Sequence, residues 1–345
     1  AGVSIVAAPG VVITGTITLN AGADNVTLQS LNLVGAVDID GSLNTNIRDS
    51  IISAGITASE TEGLFVAGNV ISGSTGLLVE GDTTNILIER NTFNSAYGVS
   101  FEAAGSTSPI PIQIATLRDN VFSSYVTGIV LGTSASGDIY NNEITAGSFG
   151  VDVKNDFQGA IRSNLIHNSD VGINYAAAAQ ISDNYIYKNR IGVSASVLDE
   201  SKAFGFVTGD NTNNIYLNTT GIYLDNAIVQ DQNIFDNSVG VSGKGQVGGQ
   251  SFEFANAIYG NTYGVRLLDG VVQFNRVYEN YQGLVASNGL KVFHNEIYRN
   301  TDAGVLANRA TDVRIQHNTL HAITGDNVRV ENSSSQVELL NNVFW

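Results

Sequence analysis

The amino-acid sequence predicts an all-β solenoid, a fold in which short strands coil repeatedly along one chain. Three observations support this class. A pattern of about 22 residues recurs, its short segments alternate apolar and polar residues with a period of two, and the 345 residues include 38 Asn and 37 Gly. A period of two is that of a strand, whereas a helix has a period near 3.6. We therefore expect strands joined by tight turns rather than helices.

Each copy of the repeat begins with an Asn, places an apolar residue two positions later and a Gly about eight positions later. Clear copies are NYIYKNRIGV from Asn184 and NRVYENYQGL from Asn275. A leucine-rich repeat has a similar length but a different Leu and Asn spacing, and a propeller blade needs about 40 residues. A solenoid of β-coils remains. With Gln232 in the same slot, the lead Asn recurs at Asn69, Asn91, Asn120, Asn142, Asn164, Asn184, Asn213, Asn256, Asn275, Asn295, Asn318 and Asn342.

The apolar residue two positions after the lead Asn is expected to form a stack inside the coils. In the strand after the Gly, alternation turns the apolar residues inward and Asp152 and Arg266 outward. We expect the Gly to form the corner with a positive φ. The interior stack comprises Ile71, Phe93, Phe122, Ile144, Ile166, Ile186, Ile215, Ile234, Ile258, Val277, Ile297, Leu320 and Phe344.

The Asn surplus is predicted to be structural. Side-chain amides that stack from coil to coil can hydrogen-bond along the axis and satisfy the backbone of buried turns. The lead Asn forms one such ladder. A second ladder is expected five residues further on, at Asn189, Asn218, Asn237, Asn261, Asn280 and Asn300.

In the segments NYIYKNRIGV and NEIYRNTDAGV the sequence resembles the right-handed parallel β-helix repeat family, the pectin-lyase-like superfamily. The resemblance runs from about residue 25 onward. It implies a single right-handed parallel β-helix of about 15 coils with Asn ladders, over residues 1–345, and we expect this domain to be part of a larger extracellular protein. The family includes lyases, hydrolases, epimerases, phage tailspikes and non-catalytic surface domains, so the fold does not name the function.

Composition excludes several classes of function. There is no Cys, hence no disulfide framework, thiolate metal site or thiol nucleophile. The net charge is −16, so nucleic acid is not an expected partner, because binding it requires Lys and Arg to neutralise phosphates. No run of 18 apolar residues is present, and we expect no membrane insertion. The expected location is extracellular or at the cell surface.

Acidic residues recur at intervals of about one coil in the N-terminal part of the chain, which predicts an acidic edge. Like charges one coil apart repel unless solvent or a cation screens them. Calcium accepts several oxygens from flexible carboxylates. The edge is therefore either a Ca²⁺ site or a solvated surface that opposes aggregation. Its candidate metal ligands are Asp38, Asp40, Glu60, Glu62, Glu80 and Asp82, and Glu102 continues the series.

The outward face of the strand after the Gly is where, as the resemblance implies, the enzymes of the superfamily hold their substrate. A lyase or epimerase needs a base for the proton beside a carboxylate and a cation or acid to neutralise that carboxylate. The alternative is an ordinary polar face. The candidate catalytic residues are Asp152, Lys154, Tyr223, Asp225, Lys244 and Arg266, and the candidate ligand-binding residues among them are Tyr223, Asp225 and Arg266.

Signature motifs of known enzymes in the superfamily are missing. The full polygalacturonase pattern, which combines Asn-Thr-Asp, a paired Asp and Gly-His-Gly, is not present. The Asp-Pro-His-Glu motif of alginate epimerases and the Arg-x-Pro-x-x-Arg segment of many pectate lyases are absent from the sequence. The favoured function is structural, adhesive or glycan-binding, with a polysaccharide or surface glycan as partner and end-to-end self-association as a further alternative. The second function is that of a polysaccharide lyase, hydrolase or epimerase.

Two aromatic features remain. The column three residues after the lead Asn could stack on sugars or pack between coils, and its position beside the inward column favours packing. His294 and His317 both precede a lead Asn and should stack, either as turn residues or as ligands of a transition metal. The aromatic column comprises Tyr187, Tyr216, Phe235, Tyr259, Tyr278 and Tyr298.

Overall fold

The structure is a computed structural model that describes residues 2–103, 112–205 and 212–345. The chain forms two compact units, residues 1–180 and residues 181–345. Counted along the chain they contain about 15 coils. The predicted all-β parallel solenoid is confirmed.

The strands of the first part of the chain are β1 (Val3–Val6), β2 (Val12–Thr14), β3 (Ile17–Leu19), β4 (Val26–Gln29), β5 (Asn32–Val34), β6 (Val37–Asp40), β7 (Asn46–Arg48), β8 (Ile51–Ile52), β9 (Ile56–Ser59), β10 (Phe65–Ala67), β11 (Val70–Glu80), β12 (Ile86–Glu89), β13 (Thr92–Glu102), β14 (Ile112–Arg118), β15 (Val121–Ser124), β16 (Thr127–Leu131), β17 (Ala135–Tyr140), β18 (Glu143–Ala146), β19 (Phe149–Val153), β20 (Phe157–Arg162), β21 (Leu165–His167), β22 (Val171–Tyr175) and β23 (Ala179–Ser182).

The strands that follow are β24 (Tyr185–Tyr187), β25 (Ile191–Ala195), β26 (Asn214–Tyr216), β27 (Thr220–Val229), β28 (Asn233–Phe235), β29 (Val239–Val247), β30 (Ala257–Tyr259), β31 (Tyr263–Gln273), β32 (Arg276–Tyr278), β33 (Gln282–Ala286), β34 (Lys291–Phe293), β35 (Glu296–Tyr298), β36 (Ala303–Asn308), β37 (Thr311–Gln316), β38 (Thr319–His321), β39 (Asp326–Glu331), β40 (Ser335–Leu340) and β41 (Val343–Phe344). Two 3₁₀ helices, Glu200–Lys202 and Phe252–Phe254, interrupt them.

In the first unit each coil contributes a strand to three parallel sheets, which we name by their place in the repeat. The pre-Asn sheet has the order β1-β4-β7-β10-β12-β14-β17-β20. The post-Asn sheet has the order β2-β5-β8-β11-β13-β15-β18-β21. The post-Gly sheet has the order β3-β6-β9-β11-β13-β16-β19-β22, and the long strands β11 and β13 belong to both of the last two sheets.

The second unit repeats the arrangement. Its post-Asn sheet has the order β24-β26-β28-β30-β32-β35-β38-β41. Its post-Gly sheet has the order β25-β27-β29-β31-β33-β36-β39. The pre-Asn sheet continues from the long strand β31 through β34, β37 and β40.

The predicted interior stack is confirmed. In the first unit Ile71, Phe93, Phe122 and Ile144 pair in register and are 0% exposed. The rings of Phe93 and Phe122 lie parallel, with centroids 4.9 Å apart. Phe344 is the exception at 49% exposed, because β41 packs against one neighbouring strand, β38.

Both predicted Asn ladders are present. In the first unit the Nδ2 atom of each lead Asn from Asn69 to Asn142 donates to the Oδ1 atom of the next, at 2.9–3.0 Å. The same Oδ1 atom accepts the backbone N–H of the previous lead Asn, so one side chain serves two donors. The second ladder, Asn189 to Asn300, runs through the second unit with Nδ2 to Oδ1 distances of 3.0–3.1 Å.

The predicted positive φ of the corner Gly is wrong. Gly98, Gly128 and Gly221 lie outside the left-handed region. The residue before most of the ladder Asn occupies it instead, as in Arg90 (φ 53°) and Leu217 (φ 55°), whereas Ala255 before Asn256 is extended (φ −67°). The Gly is required for space. A Cβ atom at Gly128 would lie 2.6 Å from the carbonyl oxygen of Gly150 and 2.6 Å from Cγ2 of Ile144.

Candidate functional site

The post-Gly sheet of the second unit carries four of the six candidate catalytic residues on its outward face. Tyr223 on β27, Ser242 on β29 and Arg266 on β31 are direct neighbours in one row across the sheet. Tyr223 is 40% exposed and Arg266 is also exposed. The Arg266 guanidinium lies 5.8 Å from the ring centroid of Tyr263, within the range of a cation–π contact.

The adjacent row of the same face alternates in charge. Asp225 pairs with Lys244, and Lys244 pairs with Asp269 in the next coil. All three side chains are exposed, and among the described residues none of the ion pairs within 4.0 Å involves Lys244. Neighbouring opposite charges stabilise each other modestly. The two rows together form the face we call the Tyr223 face, which comprises Tyr223, Asp225, Ser242, Lys244, Arg266 and Asp269.

The other two candidates, Asp152 and Lys154, belong to the first unit. Asp152 points away from the interior, as expected, but is only 3% exposed, which corrects the expectation of a solvent-facing carboxylate. Its Oδ1 atom accepts a 2.7 Å hydrogen bond from Asn174 Nδ2, and its Oδ2 atom lies 3.3 Å from Lys154 Nζ. Both carboxylate oxygens therefore have partners, while Lys154 remains 53% exposed. Asp152 is therefore a carboxylate fixed by two partners, and neither of its oxygens is free to accept a proton from a substrate.

The acidic residues of the N-terminal coils do not all stack. Asp40 pairs with Ser59, which pairs with Glu80, which pairs with Glu102. Asp38 lies in a neighbouring row, where its partner in the next coil is Thr57. Because this coil is 19 residues long, Glu60 lies three positions beyond that partner and does not stack on Asp38.

Glu62 lies just before β10 and forms isolated parallel bridges with Leu43 and Thr84. Its Oε1 atom accepts a hydrogen bond from Asn85 Nδ2 at 3.2 Å. Of the predicted series only Glu80 and Glu102 are direct neighbours. The part of the chain that the structure describes contains no group of three or more His, Asp or Glu able to hold a metal ion. Calcium at the acidic edge stays a prediction.

The aromatic column is a ladder of stacked rings. From Tyr187 to Tyr298 the ring centroids of neighbours lie 4.9–5.3 Å apart, with interplanar angles of 2–16°. The rings cover one another's faces, which confirms packing between coils. His294 and His317 also stack, at 5.1 Å and 9°, and continue from the ring of Phe274.

Two charge clusters had no signal in the repeat pattern. Glu89, with a side chain 7% exposed, binds Arg90 and accepts bonds from Arg118 Nε at 3.0 Å and Nη2 at 2.6 Å. The hydrogen bonds that Arg118 donates to Glu89 and Tyr140 raise the pKa of Arg118. The row continues through Tyr140 to Arg162, whose guanidinium lies 4.6 Å from the Tyr140 ring centroid.

In the second unit Asp302 receives two bonds from Arg329, at 2.9 and 2.6 Å, and one from Gln282 at 2.6 Å. The bonds from Arg329 and Gln282 lower the pKa of Asp302. These partners come from different coils, and only the fold brings them together.

The fold and the outward sheet face define a right-handed parallel β-helix protein. A family model described as "Right handed beta helix region" matches residues 247–345. A second model, described as "Periplasmic copper-binding protein (NosD)", matches residues 37–220, more than half of the chain. The chain belongs to the NosD family.

Similar solved structures share low sequence identity. The periplasmic alginate epimerase AlgG is 14% identical, with 95% of this chain and 78% of that chain covered and a TM-score of 0.32. The AlgE4 A-module, an Azotobacter vinelandii mannuronan C-5 epimerase, is 13% identical over 92% and 86%, with a TM-score of 0.34. A hyperthermoactive exopolygalacturonase from Thermotoga maritima is 12% identical over 95% and 71%, with a TM-score of 0.32.

A search among curated proteins gives no match. Neither 3₁₀ helix in the described ranges has the length and apolarity that would carry it across a membrane.

Proposed function

We propose that the chain is an exported β-helix that binds a polysaccharide along the Tyr223 face. The observation that carries the proposal is the row Tyr223, Ser242, Arg266, which puts an exposed aromatic ring and a guanidinium two coils apart on one sheet face. Consecutive coils are spaced by about 4.8 Å, so the two groups are about 10 Å apart along the row. A linear polymer that follows the row contacts both.

The chemistry of the face suits sugars. An aromatic ring offers an apolar surface and, in Tyr, a hydroxyl for hydrogen bonds. The Arg266 fork donates to carboxylate or hydroxyl oxygens, and the carboxylates of Asp225 and Asp269 accept from sugar hydroxyls. Since donors and acceptors alternate along the second row, neutral and acidic glycans both find partners there.

The test is a glycan array followed by titration of the best hit with the protein and with two double variants. Tyr223→Ala with Arg266→Ala should weaken binding by about tenfold or more, since it removes the aromatic platform and the guanidinium. The matched control, Tyr281→Ala with Arg314→Ala, changes exposed residues of the same types elsewhere in the second unit and should leave the affinity unchanged. Equal affinities for both double variants would refute binding at this face.

The second function, polysaccharide cleavage or epimerisation, uses the same face and has its own readout. Under the binding proposal the bound glycan is recovered with its length and composition intact. New reducing ends, unsaturated uronate ends or a changed uronate composition that disappear in the Tyr223 and Arg266 double variant would make the chain an enzyme.

Copper, which the description of the NosD family mentions, does not fit the residues present here. The sequence has no Cys and no Met, the soft ligands that select Cu(I). His294 and His317 stack with parallel ring planes, an arrangement in which the two in-plane lone pairs do not converge on one ion. His167 already contacts Glu143 and Asn168, at 3.2 and 2.9 Å. We therefore derive no copper chemistry for this chain.

We infer that the protein is exported, because the family to which it belongs is described as periplasmic. An extracellular or cell-surface location is the finer alternative. Fractionation of cells that produce the natural full-length protein tests both. Recovery from the cytoplasm alone would contradict export.

A further inference from the structure

The aromatic ladder of the second unit changes after Tyr298. Tyr259, Tyr278 and Tyr298 stack at 5.0 and 4.9 Å. The next residue in register is His321, and Trp345 follows Phe344, the partner of Leu320. Within the described residues no ring stacking joins His321 to Tyr298 or to Trp345. The regular stack therefore stops at Tyr298, and its last ring face lacks the aromatic cover that the earlier rings have.

A concavity lies where the stack stops. Its volume is about 420 Å³, within the usual range of small-molecule sites, about 300–1,000 Å³. Tyr298 is half-buried, whereas Trp345 is 75% exposed and Ile323 is 66% exposed. The lining residues are Glu296, Tyr298, Arg299, Thr319, His321, Ile323 and Trp345.

The rim of the concavity supplies both hydrogen-bond donors and hydrogen-bond acceptors. Glu296 Oε2 lies 3.2 Å from Arg276 Nε, and Arg299 Nη1 lies 3.4 Å from Glu279 Oε1, so an ion pair with the preceding coil holds each charged group. A carboxylate has about four acceptor sites and a guanidinium has five donors. Both groups keep hydrogen-bonding capacity for a ligand, and the Thr319 hydroxyl can donate or accept.

We propose that this concavity binds one pyranose ring of a glycan, at a site separate from the Tyr223 face. The C–H face of the sugar packs on Tyr298 or Trp345, and its hydroxyls bond to Glu296, Arg299 and Thr319. An aromatic ligand would fill the apolar part but leave the polar rim unused. The mixed rim is the reason for choosing a sugar.

Trp345 is the only Trp of the chain, so fluorescence excited selectively at Trp reports on this site alone. The probes are cellotriose, which is neutral, trigalacturonate, which is acidic, and phenylalanine as the aromatic alternative. Titration to about 10 mM detects a Kd in the millimolar range. We expect a saturable change in Trp emission with at least one trisaccharide and none with phenylalanine.

Two variants test whether the change in Trp emission comes from binding in this concavity. Tyr298→Ala and Glu296→Gln should each weaken the apparent affinity by about tenfold, because each removes one wall or one acceptor. Tyr187→Ala, at the other end of the same ladder, is the matched control and should bind normally. Should Tyr298→Ala fail to fold, Glu296→Gln alone decides, since it keeps the size of the side chain.

The site is refuted if neither trisaccharide changes the emission, if phenylalanine alone does, or if Glu296→Gln binds as tightly as the unaltered protein. The double variant of Tyr223 and Arg266 separates the two proposals. It should weaken binding of the array hit by about tenfold or more and leave the Trp response intact, so either site can fail without the other.

Discussion

Turns in this protein depend on single residues in the left-handed conformation, placed just before most of the ladder Asn. Several of these residues are neither Gly nor Asn, and Leu217 (φ 55°) and Phe274 (φ 53°) are examples. A side chain with a Cβ atom adopts this conformation at a cost of roughly 1–2 kcal/mol. The fold accepts that cost because the following Asn satisfies the turn backbone.

Leu217→Gly should therefore stabilise the protein by about 0.5–1 kcal/mol, the relief of strain less the entropy that Gly loses on folding. Urea denaturation measures the change. Leu268 is the matched control, because it is also an exposed Leu of the second unit but has no left-handed φ. Leu268→Gly should destabilise by about 0.5–1 kcal/mol. Two changes of the same sign would contradict the strain argument.

Asp302 makes the stability of the fold depend on pH. Its hydrogen bonds from Arg329 and Gln282 lower its pKa, so they stabilise the fold fully above the ordinary Asp pKa near 4 and are lost as the pH falls through the lowered value. Asp302→Asn should lower the Tm at pH 7 by about 1–2 °C, the effect of roughly 1 kcal/mol on a chain of this length. The gap to the unaltered protein should narrow below about pH 4. A gap that does not change with pH would show that packing, not charge, is responsible.

At the scale of elements, the lead Asn ladder is the largest hydrogen-bonded array that the sequence specifies. Asn142 accepts from Asn120 N and Nδ2 and donates to Asn164, Leu117 and Tyr140. It is 1% exposed, so water cannot replace these bonds.

Asn142→Ala should destabilise the protein by at least about 3 kcal/mol, because it leaves several buried donors and acceptors unpaired. The control is Asn94→Ala, an exposed Asn on β13 outside either ladder, for which we expect a change within about 0.5 kcal/mol. Chemical denaturation followed by circular dichroism compares the two. A loss in Asn142→Ala no larger than that of the control would mean that the ladder is not stabilising.

The column of Gly residues is a second repeated element, and its requirement is for space. Gly128→Ala places a Cβ atom against backbone of the next coil, and we expect a loss of about 1–3 kcal/mol. At Gly132 the three atoms nearest to the added Cβ atom all belong to the Glu102 side-chain carboxylate. Gly132→Ala should therefore cost less, and thermal melts of the two variants rank them. The reverse order would contradict the packing argument.

At the scale of the whole molecule the unusual quantity is charge. Residues 1–150 carry 13 acidic and three basic residues, within a chain of net charge −16. Such self-repulsion destabilises a compact state, and salt screens it. The acidic edge contributes through Glu80 and Glu102, which lie on neighbouring strands.

Calcium binding at this edge predicts a rise in Tm with millimolar CaCl₂ that exceeds the rise given by NaCl of equal ionic strength. Glu80→Gln with Glu102→Gln should remove the excess. The control double variant, Glu253→Gln with Glu338→Gln, removes two acids elsewhere and should keep it. Identical melting curves in the two salts would leave the edge as a screened, solvated surface.

Much of the architecture was predictable because each coil repeats the same pattern of residues at the same positions. The lead Asn, the apolar residue after it and the aromatic residue next to that one recur at a nearly constant interval, so their stacking follows from the period. The role of the Gly did not follow, since a positive φ and a lack of space both select Gly. Only the carbonyl of Gly150 beside Gly128 distinguishes them.

The candidate site was predictable in type but not in arrangement. Outward residues of the post-Gly strands were identified by alternation, and Tyr223 and Arg266 do share a row. The burial of Asp152 and the separation of Asp38 from Glu60 depend on local coil length and on neighbouring side chains, which vary from coil to coil. The partners of Glu89 and Asp302 likewise come from other coils at irregular positions.

The sequence by itself determined the all-β parallel fold, its interior stack and its two Asn ladders, because these features repeat with the period of the chain. Tertiary structure alone decided which charged groups meet, where the aromatic ladder stops and which Gly residues need space. Those outcomes depend on the register between coils of unequal length, and register is a property of packed neighbours rather than of any one repeat.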